Sequence, residues 1–167
     1  MRAIVAVDKK WAIGKDNNLL FNIKDDLKRF KTLTMGKAVV MGRKTFESLP
    51  GKRPLPGRDN FILTRDENYQ VPGATVVHSY HEFLSKYAPE YLSCDIYVIG
   101  GAEIYRLFLD SIDEIYVTKV HKVVDDADTF FPNLDEMDDW DLLSHTDIYR
   151  DDDGTEYEYV LYHNLRK

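Results

Sequence analysis

A chain of 167 residues, 44% hydrophobic and 31% charged, has the size and composition of one globular domain over residues 1–167. Its net charge of −7 argues against nucleic acid as the main partner, and no apolar run is long enough to span a membrane. The single cysteine, Cys94, excludes an internal disulfide and is expected to be an inert core thiol. Because no secretory signal is visible either, we expect a cytoplasmic protein.

The charges are unevenly distributed along the chain. Residues 24–65 carry 11 Lys/Arg and 4 Asp/Glu, whereas residues 110–158 carry 3 Lys/Arg and 17 Asp/Glu. The basic region is suited to attracting small anions, and the acidic region favours solubility. Chance variation of surface charge is the alternative interpretation.

Apolar periodicity and turn residues predict the following elements in chain order. We expect strands over 2–7, 37–41, 60–64, 74–78, 96–99, 114–123, 142–149 and 156–165. We expect helices over 24–34, 46–49, 80–87 and 102–109, a long loop over 11–18 that ends in apolar residues 19–21, and an acidic loop over 125–141.

Strands alternate with helices as far as residue 109, and strands alone follow. This order predicts an α/β fold with a mostly parallel central sheet of about eight strands, flanked by helices and with an antiparallel C-terminal edge. Ligands of such sheets bind beyond the carboxyl ends of the strands. Residues of a binding site are therefore expected at those ends.

Three strand ends carry residues that suit phosphates. Gly42-Arg43-Lys44-Thr45 follows a buried strand and opens a helix, and Leu63-Thr64-Arg65 places a hydroxyl beside a guanidinium. Gly100-Gly101 lies between a strand and a helix, where glycine permits close approach of a ligand to the backbone. Two phosphate sites and a glycine turn predict a phosphorylated dinucleotide such as NADPH; a tight turn without a ligand is the alternative for Gly100-Gly101.

Asp26 is the most informative carboxylate, because its position shares a helix face with Leu27 and Phe30. Burial on an apolar face raises the pKa of a carboxyl group, which can then hold a proton or bind an amide-like edge with two hydrogen bonds. Asp25 is expected to face solvent. The alternative is that Asp26 only interacts with the helix N-terminus.

Arg58 follows Pro54-Leu55-Pro56-Gly57, which should fix its loop, so its guanidinium could hold a carboxylate through two hydrogen bonds. It could also be an ordinary surface arginine. The five histidines show no metal-ligand spacing, so we expect no metal. The chain has no Gly-x-Gly-x-x-Gly fingerprint, P-loop, nucleophile elbow or candidate catalytic triad.

Taken together, these residues resemble bacterial dihydrofolate reductases over essentially the whole chain. The matching motifs are Ile13-Gly14, Asp26-Leu27 with Phe30, Val40-Met41-Gly42-Arg43-Lys44-Thr45 with Glu47-Ser48, Arg53-Pro54-Leu55-Pro56-Gly57-Arg58, Val98-Ile99-Gly100-Gly101 with Tyr105, Tyr116-Val117-Thr118, and Asp128-Thr129-Phe130-Phe131-Pro132. Their combination and order are specific, although no motif is specific alone.

The resemblance implies a dihydrofolate reductase-like fold and NADPH-dependent reduction of 7,8-dihydrofolate, with antifolates such as diaminopyrimidines as further ligands and a monomeric state. It implies parts in catalysis for Asp26, which promotes protonation of the pterin, for Thr118, which supports Asp26, and for Phe21 and Leu19 on the loop over the nicotinamide. The implied substrate-binding residues are Val5, Ala6, Leu27, Phe30, Leu49, Leu55, Arg58, Ile99 and Thr118. The implied NADPH-binding residues are Ala6, Ile13, Gly14, Gly42, Arg43, Lys44, Thr45, Leu63, Thr64, Arg65, Ile99, Gly100, Gly101, Ala102, Glu103, Ile104 and Tyr105.

The resemblance also implies a cis Gly100–Gly101 peptide and a bracing loop that carries Asp128. The chain departs from the family in reading Leu19-Leu20-Phe21 where Leu-Pro-Trp is usual, and Glu103 stands where some relatives have a cation. There are two alternative functions. One is a pterin or pyrimidine reductase on the same scaffold, and the other is a noncatalytic protein that binds nucleotides or sequesters inhibitors. Asp26 together with Arg58 argues for folate.

Overall fold

A computed structural model describes the whole chain from Met1 to Lys167. Its strands are β1 (Arg2–Val7), β2 (Ala12–Lys15), β3 (Asn18–Leu19), β4 (Ala38–Gly42), β5 (Asp59–Leu63), β6 (Thr75–Val77), β7 (Ile96–Gly100), β8 (Glu114–Val120), β9 (Thr129–Phe130), β10 (Trp140–His145), β11 (Tyr149–Arg150) and β12 (Glu156–Asn164). Its α-helices are α1 (Lys24–Thr34), α2 (Arg43–Glu47), α3 (Tyr80–Glu82) and α4 (Ala102–Phe108), and a π-helical turn over Phe83–Tyr87 continues α3. None of these helices combines the length and apolarity that crossing a bilayer requires.

The central sheet has the order β10-β12-β8-β1-β7-β4-β5-β6, and the short strand β11 pairs with β12. Neighbouring strands from β8 to β6 are parallel, whereas β12 is antiparallel to both β8 and β10. The predicted fold class is confirmed, including the antiparallel edge that the final, helix-free part of the chain forms.

Side chains alternate between the two faces of this sheet. Ala3, Val5 and Val7 of β1 belong to the larger hydrophobic core, which also contains Tyr105 and Phe108 of α4. We call this side the α4 face. Ile4 packs in the smaller core on the opposite side, with Leu33 of α1, and we call that side the α1 face.

Several element boundaries differ from the prediction because distant partners determine them. Residues in the predicted loop 11–18 form β2 and part of β3, and β2 is completed by β9 from the predicted acidic loop. The strand expected over 114–123 ends at Val120, and the one expected over 142–149 spans Trp140–His145, with a bulge. The short helix begins at Arg43 rather than residue 46. Cys94 is exposed, so the expectation of a core thiol was wrong.

Candidate functional site

The strand ends that the sequence singled out are adjacent in the sheet. Gly42 at the end of β4 is in register with Leu63 at the end of β5, and Met41 is paired with Gly100 at the end of β7. Arg43 and Thr64 therefore leave two neighbouring parallel strands at the same edge, next to the Gly100-Gly101 turn. The crevice expected beyond the carboxyl ends of the strands has its three predicted segments side by side.

Two glycines at these strand ends are closely packed against α4. A Cβ atom on Gly42 would lie 3.0 Å from Cγ1 of Ile104, and one on Gly100 would lie 3.3 Å from the Tyr105 ring. Gly100 has φ +122°, a conformation that favours glycine, and the Gly100–Gly101 peptide is cis, as the resemblance implies. The Tyr105 hydroxyl donates to the Ile4 carbonyl at 2.6 Å, which fixes α4 against β1. Packing of α4 and the backbone conformation at Gly100 therefore account for glycine at positions 42 and 100.

Cationic side chains border the same edge. The Arg43 guanidinium contacts the Glu47 carboxylate at 3.3 Å. Arg65 is 96% exposed and lies 4.0 Å from Glu103, so its guanidinium is available to an anion. Lys44 is exposed as well, and the first N–H groups of α2 have no acceptor within the helix. These positive groups suit the phosphates of NADPH.

Asp26 lies in the first turn of α1, and its carboxylate faces the sheet rather than solvent. Thr118 of β8 donates a hydrogen bond from Oγ1 to Asp26 Oδ1 at 2.5 Å, and Thr118 itself is 2% exposed. Burial raises the pKa of Asp26, while the Thr118 hydrogen bond and the charge of Arg29 partly offset the increase. Asp25 is exposed, as expected. A buried carboxyl of this kind can hold a proton or an amide-like edge.

The start of α1 is held in place by packing just before the helix. Ile23 is 4% exposed and forms a small cluster with Val120 and Tyr157, at the ends of β8 and β12. Asp25 and Asp26 in the first turn are also favourable to the helix dipole. The backbone therefore presents Asp26 to Thr118 at a fixed distance.

Several apolar side chains lie on the α1 face, the face of the sheet that carries Thr118 and the Asp26 carboxyl. Leu49, Leu55 and Ile99 pack against the smaller core, and Ala6 lies on this face because it is paired with Thr118. Leu27 is 49% exposed and Phe30 is half-buried, so the chain itself does not cover them. The side chain of Val5 belongs to the α4 face, so only its backbone is directed toward the pocket.

Arg58 lies beyond the C-terminal end of α1. Its Nε donates to the Pro56 carbonyl at 2.9 Å and its Nη1 donates to Thr34 Oγ1 at 3.2 Å. The guanidinium also lines a shallow cleft with Lys31, Met35, Pro56 and Gly57. The Arg58 side chain is half-buried and is held in place by these two hydrogen bonds. Its Nη2 donates no hydrogen bond within the protein.

The family model for dihydrofolate reductase matches residues 1–166. The chain belongs to the dihydrofolate reductase family. It is 36% identical to the dihydrofolate reductase of Staphylococcus haemolyticus over 164 residues, which cover 98% of this chain and 95% of the relative. It is 38% identical to that of Bacillus subtilis strain 168 over 161 residues, covering 95% and 91%.

A solved dihydrofolate reductase from Enterococcus faecalis, complexed with NADP(H) and RAB-propyl, has the same fold. The two structures superpose with a TM-score of 0.85 at 35% sequence identity, over 98% of this chain and 95% of the other. The activity of the dihydrofolate reductase family is NADPH-dependent reduction of dihydrofolate, and the family also binds antifolate inhibitors.

The loop that the dihydrofolate reductase resemblance places over the nicotinamide is built from β2 and β3. Gly14 pairs with Leu19, and the Asp16 N–H donates to Asp128 Oδ2 at 3.0 Å, so Asp128 braces the loop as implied. Ile13 is buried and Leu19 is 78% exposed. Phe21 packs against the cluster of Ile23, Val120 and Tyr157 on the α1 face.

Sequence reasoning missed four residues beside the site. His78 follows β6, and its Nδ1 lies 3.0 Å from the Thr64 carbonyl oxygen; its place at a strand end was a usable signal. The Tyr69 hydroxyl donates to Glu47 at 3.2 Å, within reach of Arg43. Arg29 and Tyr159 lie near Asp26, but their proximity depends on packing that no local pattern shows. No group of three or more His, Cys, Asp or Glu side chains is placed to hold a metal ion.

Proposed function

We propose that this chain reduces 7,8-dihydrofolate to 5,6,7,8-tetrahydrofolate with NADPH, and so supplies one-carbon metabolism. The observation that carries the proposal is the half-buried Asp26 carboxyl, which is hydrogen-bonded to Thr118 on the face of the sheet that also carries the smaller apolar core. Bound NADPH supplies the hydride that C6 of the pterin receives. The residues of the chain bind and orient the two molecules and manage the proton that N5 gains.

Asp26 is proposed to hold the 2-amino and N3 edge of the pterin through two hydrogen bonds. Thr118 occupies one lone pair of Oδ1 and thereby fixes the plane of the carboxyl group, leaving its remaining lone pairs for the substrate. Because burial raises the pKa of Asp26, the group exchanges protons closer to neutral pH than an exposed aspartate does. It promotes protonation of N5, through water.

The other proposed contacts with the substrate and NADPH are assigned from where each residue lies around the site. Ala6, Leu27, Phe30, Leu49, Leu55 and Ile99 provide apolar walls, Val5 provides backbone, and Arg58 binds the α-carboxylate of the glutamate tail. NADPH is proposed to contact Ala6, Ile13, Gly14, Gly42, Arg43, Lys44, Thr45, Leu63, Thr64, Arg65, Ile99, Gly100, Gly101, Ala102, Glu103, Ile104 and Tyr105. Leu19 and Phe21 belong to the loop that closes over the nicotinamide. Small antifolates such as diaminopyrimidines would occupy the pterin pocket, and we propose a cytoplasmic monomer.

The test compares Asp26→Asn with Asp25→Asn, which removes the adjacent but exposed carboxylate. We expect Asp26→Asn to lose about 100-fold or more in turnover of dihydrofolate at neutral pH, the usual range for a group in acid–base catalysis. NADPH binding should survive, because the glycine edge and its cations are separate from Asp26. The assay is the loss of NADPH absorbance on addition of dihydrofolate.

Asp25→Asn should keep turnover close to the unsubstituted level. If Asp26→Asn reduced dihydrofolate at a near-normal rate from about pH 6 to about pH 9, the neutral range that matters for acid–base chemistry, the role of Asp26 would be refuted. A chain that consumed no NADPH with dihydrofolate in its unsubstituted form would refute the proposed function itself.

A further inference from the structure

The half-buried guanidinium of Arg29 has no part in the reaction as proposed above. Its guanidinium carbon lies 4.0 Å from the centre of the Tyr159 ring and 5.5 Å from the centre of the Tyr116 ring. The Arg29 side chain is half-buried, and this partial removal from water lowers its pKa. An arginine stacked in this way is stabilised by the faces of the rings rather than by a carboxylate.

The two tyrosines hold the Arg29 guanidinium near Asp26. Tyr159 of β12 is the cross-strand partner of Thr118, and Tyr116 precedes Thr118 by two residues, so all three side chains lie on the α1 face. Thr118 holds the Asp26 carboxyl. Asp26 and Arg29 are three residues apart on α1 and therefore share one side of the helix. The cation and the carboxylate thus lie over the same part of the sheet.

The other charged groups near this position point elsewhere. Lys119 of β8 is on the α4 face, where its Nζ contacts Asp135 at 3.1 Å. Glu158 of β12 is also on that face and lies 3.6 Å from His121. On α1, Asp25 is exposed and accepts only a long hydrogen bond, 3.5 Å, from the Tyr157 hydroxyl.

Strand β1 places Arg2, Ile4 and Ala6 on the α1 face. The Arg2 guanidinium carbon lies 5.8 Å from the centre of the Tyr116 ring, and this guanidinium is paired with Glu114 at 3.4 Å. Tyr149 packs against Tyr159 and Tyr97 packs against Tyr116, with ring centres 5.8 Å and 6.4 Å apart. Burial raises the pKa of Tyr116, Tyr157 and Tyr159, so these three are neutral at neutral pH. Arg2 is paired with Glu114, whereas the charge of Arg29 acts on Asp26 and lowers its pKa.

We propose that Arg29 is a positioning residue for the reaction: held over Tyr116 and Tyr159, its guanidinium keeps a fixed positive charge beside Asp26 and determines the charge state in which Asp26 meets the substrate. The proposal rests on the function proposed above. A nearby cation favours the carboxylate form, whereas burial favours the protonated form. Arg29 acts against the effect of burial, so Asp26 releases its proton at a lower pH than it would without this cation.

The experiment compares Arg29→Met with Arg29→Lys. Met keeps a flexible apolar stem and removes the charge, whereas Lys keeps the charge and can still stack on a tyrosine ring. The first readout is the titration midpoint of the Asp26 carboxyl, followed by carboxyl ¹³C NMR in the protein without ligands and assigned with Asp26→Asn. The second is the pH profile of kcat/KM for dihydrofolate.

We expect Arg29→Met to raise the titration midpoint by about 0.5–1 pH unit, the size that a partly buried unit charge several ångströms away produces. The alkaline limb of the kcat/KM profile should move to higher pH by the same amount, because Asp26 then keeps its proton to higher pH. Arg29→Lys should leave both within about 0.3 pH unit of the unsubstituted protein, since the charge is retained. Arg29→Gln, a second variant without the charge, should behave as Arg29→Met does if the methionine variant folds poorly.

An unchanged titration midpoint in the charge-removing variants would overturn the proposal. Equal shifts in Arg29→Met and Arg29→Lys would also overturn it, because they would show that packing of the side chain rather than its charge is responsible. A raised midpoint in a chain that does not reduce dihydrofolate would refute the proposed function and leave the electrostatic role of Arg29 standing.

Discussion

Arg58→Leu tests the proposed contact with the glutamate tail of folate. The structure assigns Nε and one N–H of Nη1 to protein acceptors, namely the Pro56 carbonyl and Thr34 Oγ1. One N–H of Nη1 and both of Nη2 remain, and these two nitrogens present the end of the guanidinium fork that can bind a carboxylate through two parallel hydrogen bonds. Leucine removes this fork and its charge but keeps an apolar stem.

Arg58→Leu should weaken the binding free energy of folate by roughly 1.5–3 kcal/mol, the usual contribution of a hydrogen bond to a charged group. Arg58 is half-buried, so water competes for the carboxylate, and the lower half of that range is expected. Affinity for folate should therefore fall about 10- to 50-fold. Burial lowers the pKa of Arg58, but an arginine remains charged at neutral pH, so the loss should be independent of pH near neutrality.

Binding is measured by fluorescence titration with folate and with a diaminopyrimidine that lacks a glutamate tail. Affinity for the diaminopyrimidine should be unchanged, because Arg58 lies in a cleft beyond the end of α1. Thr34→Val is the matched control: it keeps the guanidinium but removes one of its acceptors, so folate should lose only a few-fold in affinity. Equal losses for both ligands in Arg58→Leu would refute the tail contact and indicate a structural role.

Three further predictions concern the cofactor, the loop and the buried acid. Arg43→Ala and Arg65→Ala should each raise the KM for NADPH about tenfold while changing that for NADH little, because both are proposed to bind the 2′-phosphate through charge-assisted hydrogen bonds; efficient use of NADH by the unsubstituted chain would contradict this. Phe21→Trp should keep the fold and supply an indole N–H that orders one more water beside the pterin, so folate-bound crystal structures of both forms that show the same waters, together with equal hydride-transfer rates, would count against it. Asp26→Asn should stabilise the fold at neutral pH. Burial raises the folded-state pKa of Asp26, so the ionised carboxylate lowers the free energy of unfolding. This destabilisation is absent below the unfolded-state pKa and reaches its full size above the folded-state pKa. The gain in unfolding free energy should therefore vanish at acidic pH, and a gain that did not change with pH in urea titrations would contradict the assignment.

Local chemistry was sufficient wherever one stretch of chain carries the whole signal. The run over β7 followed by Gly100-Gly101 predicted a buried strand and a bare turn, and Gly42-Arg43 and Thr64-Arg65 marked the ends of β4 and β5. The spacing of Asp26 to Phe30 was enough to expect a carboxyl on an apolar face. Alternation of strands and helices then fixed the parallel sheet, and so the edge at which these residues meet.

Only the tertiary structure decided which distant groups meet. Thr118 lies 92 residues from Asp26, and no pattern within the chain pairs them; the family resemblance supplied that contact. Residue 14 and residue 129 pair as β-strands only because the loops carrying them pack together, so the small sheet could not be predicted from either segment. Alternation along β1 puts Val5 and Ile4 on opposite faces of the sheet. Which of these faces the larger core covers depends on the packing of other segments, and that packing places the Val5 side chain on the α4 face.

The environment of Arg29 shows the same division most clearly. The sequence places Arg29 one turn from Asp26, but whether its cation faces water or the sheet depends on Tyr116 and Tyr159, which arrive from β8 and β12. Periodicity within a segment determines secondary structure, because hydrogen bonds and side-chain directions repeat locally. Burial, and with it the charge state of a carboxyl group, is determined by segments that only folding brings together.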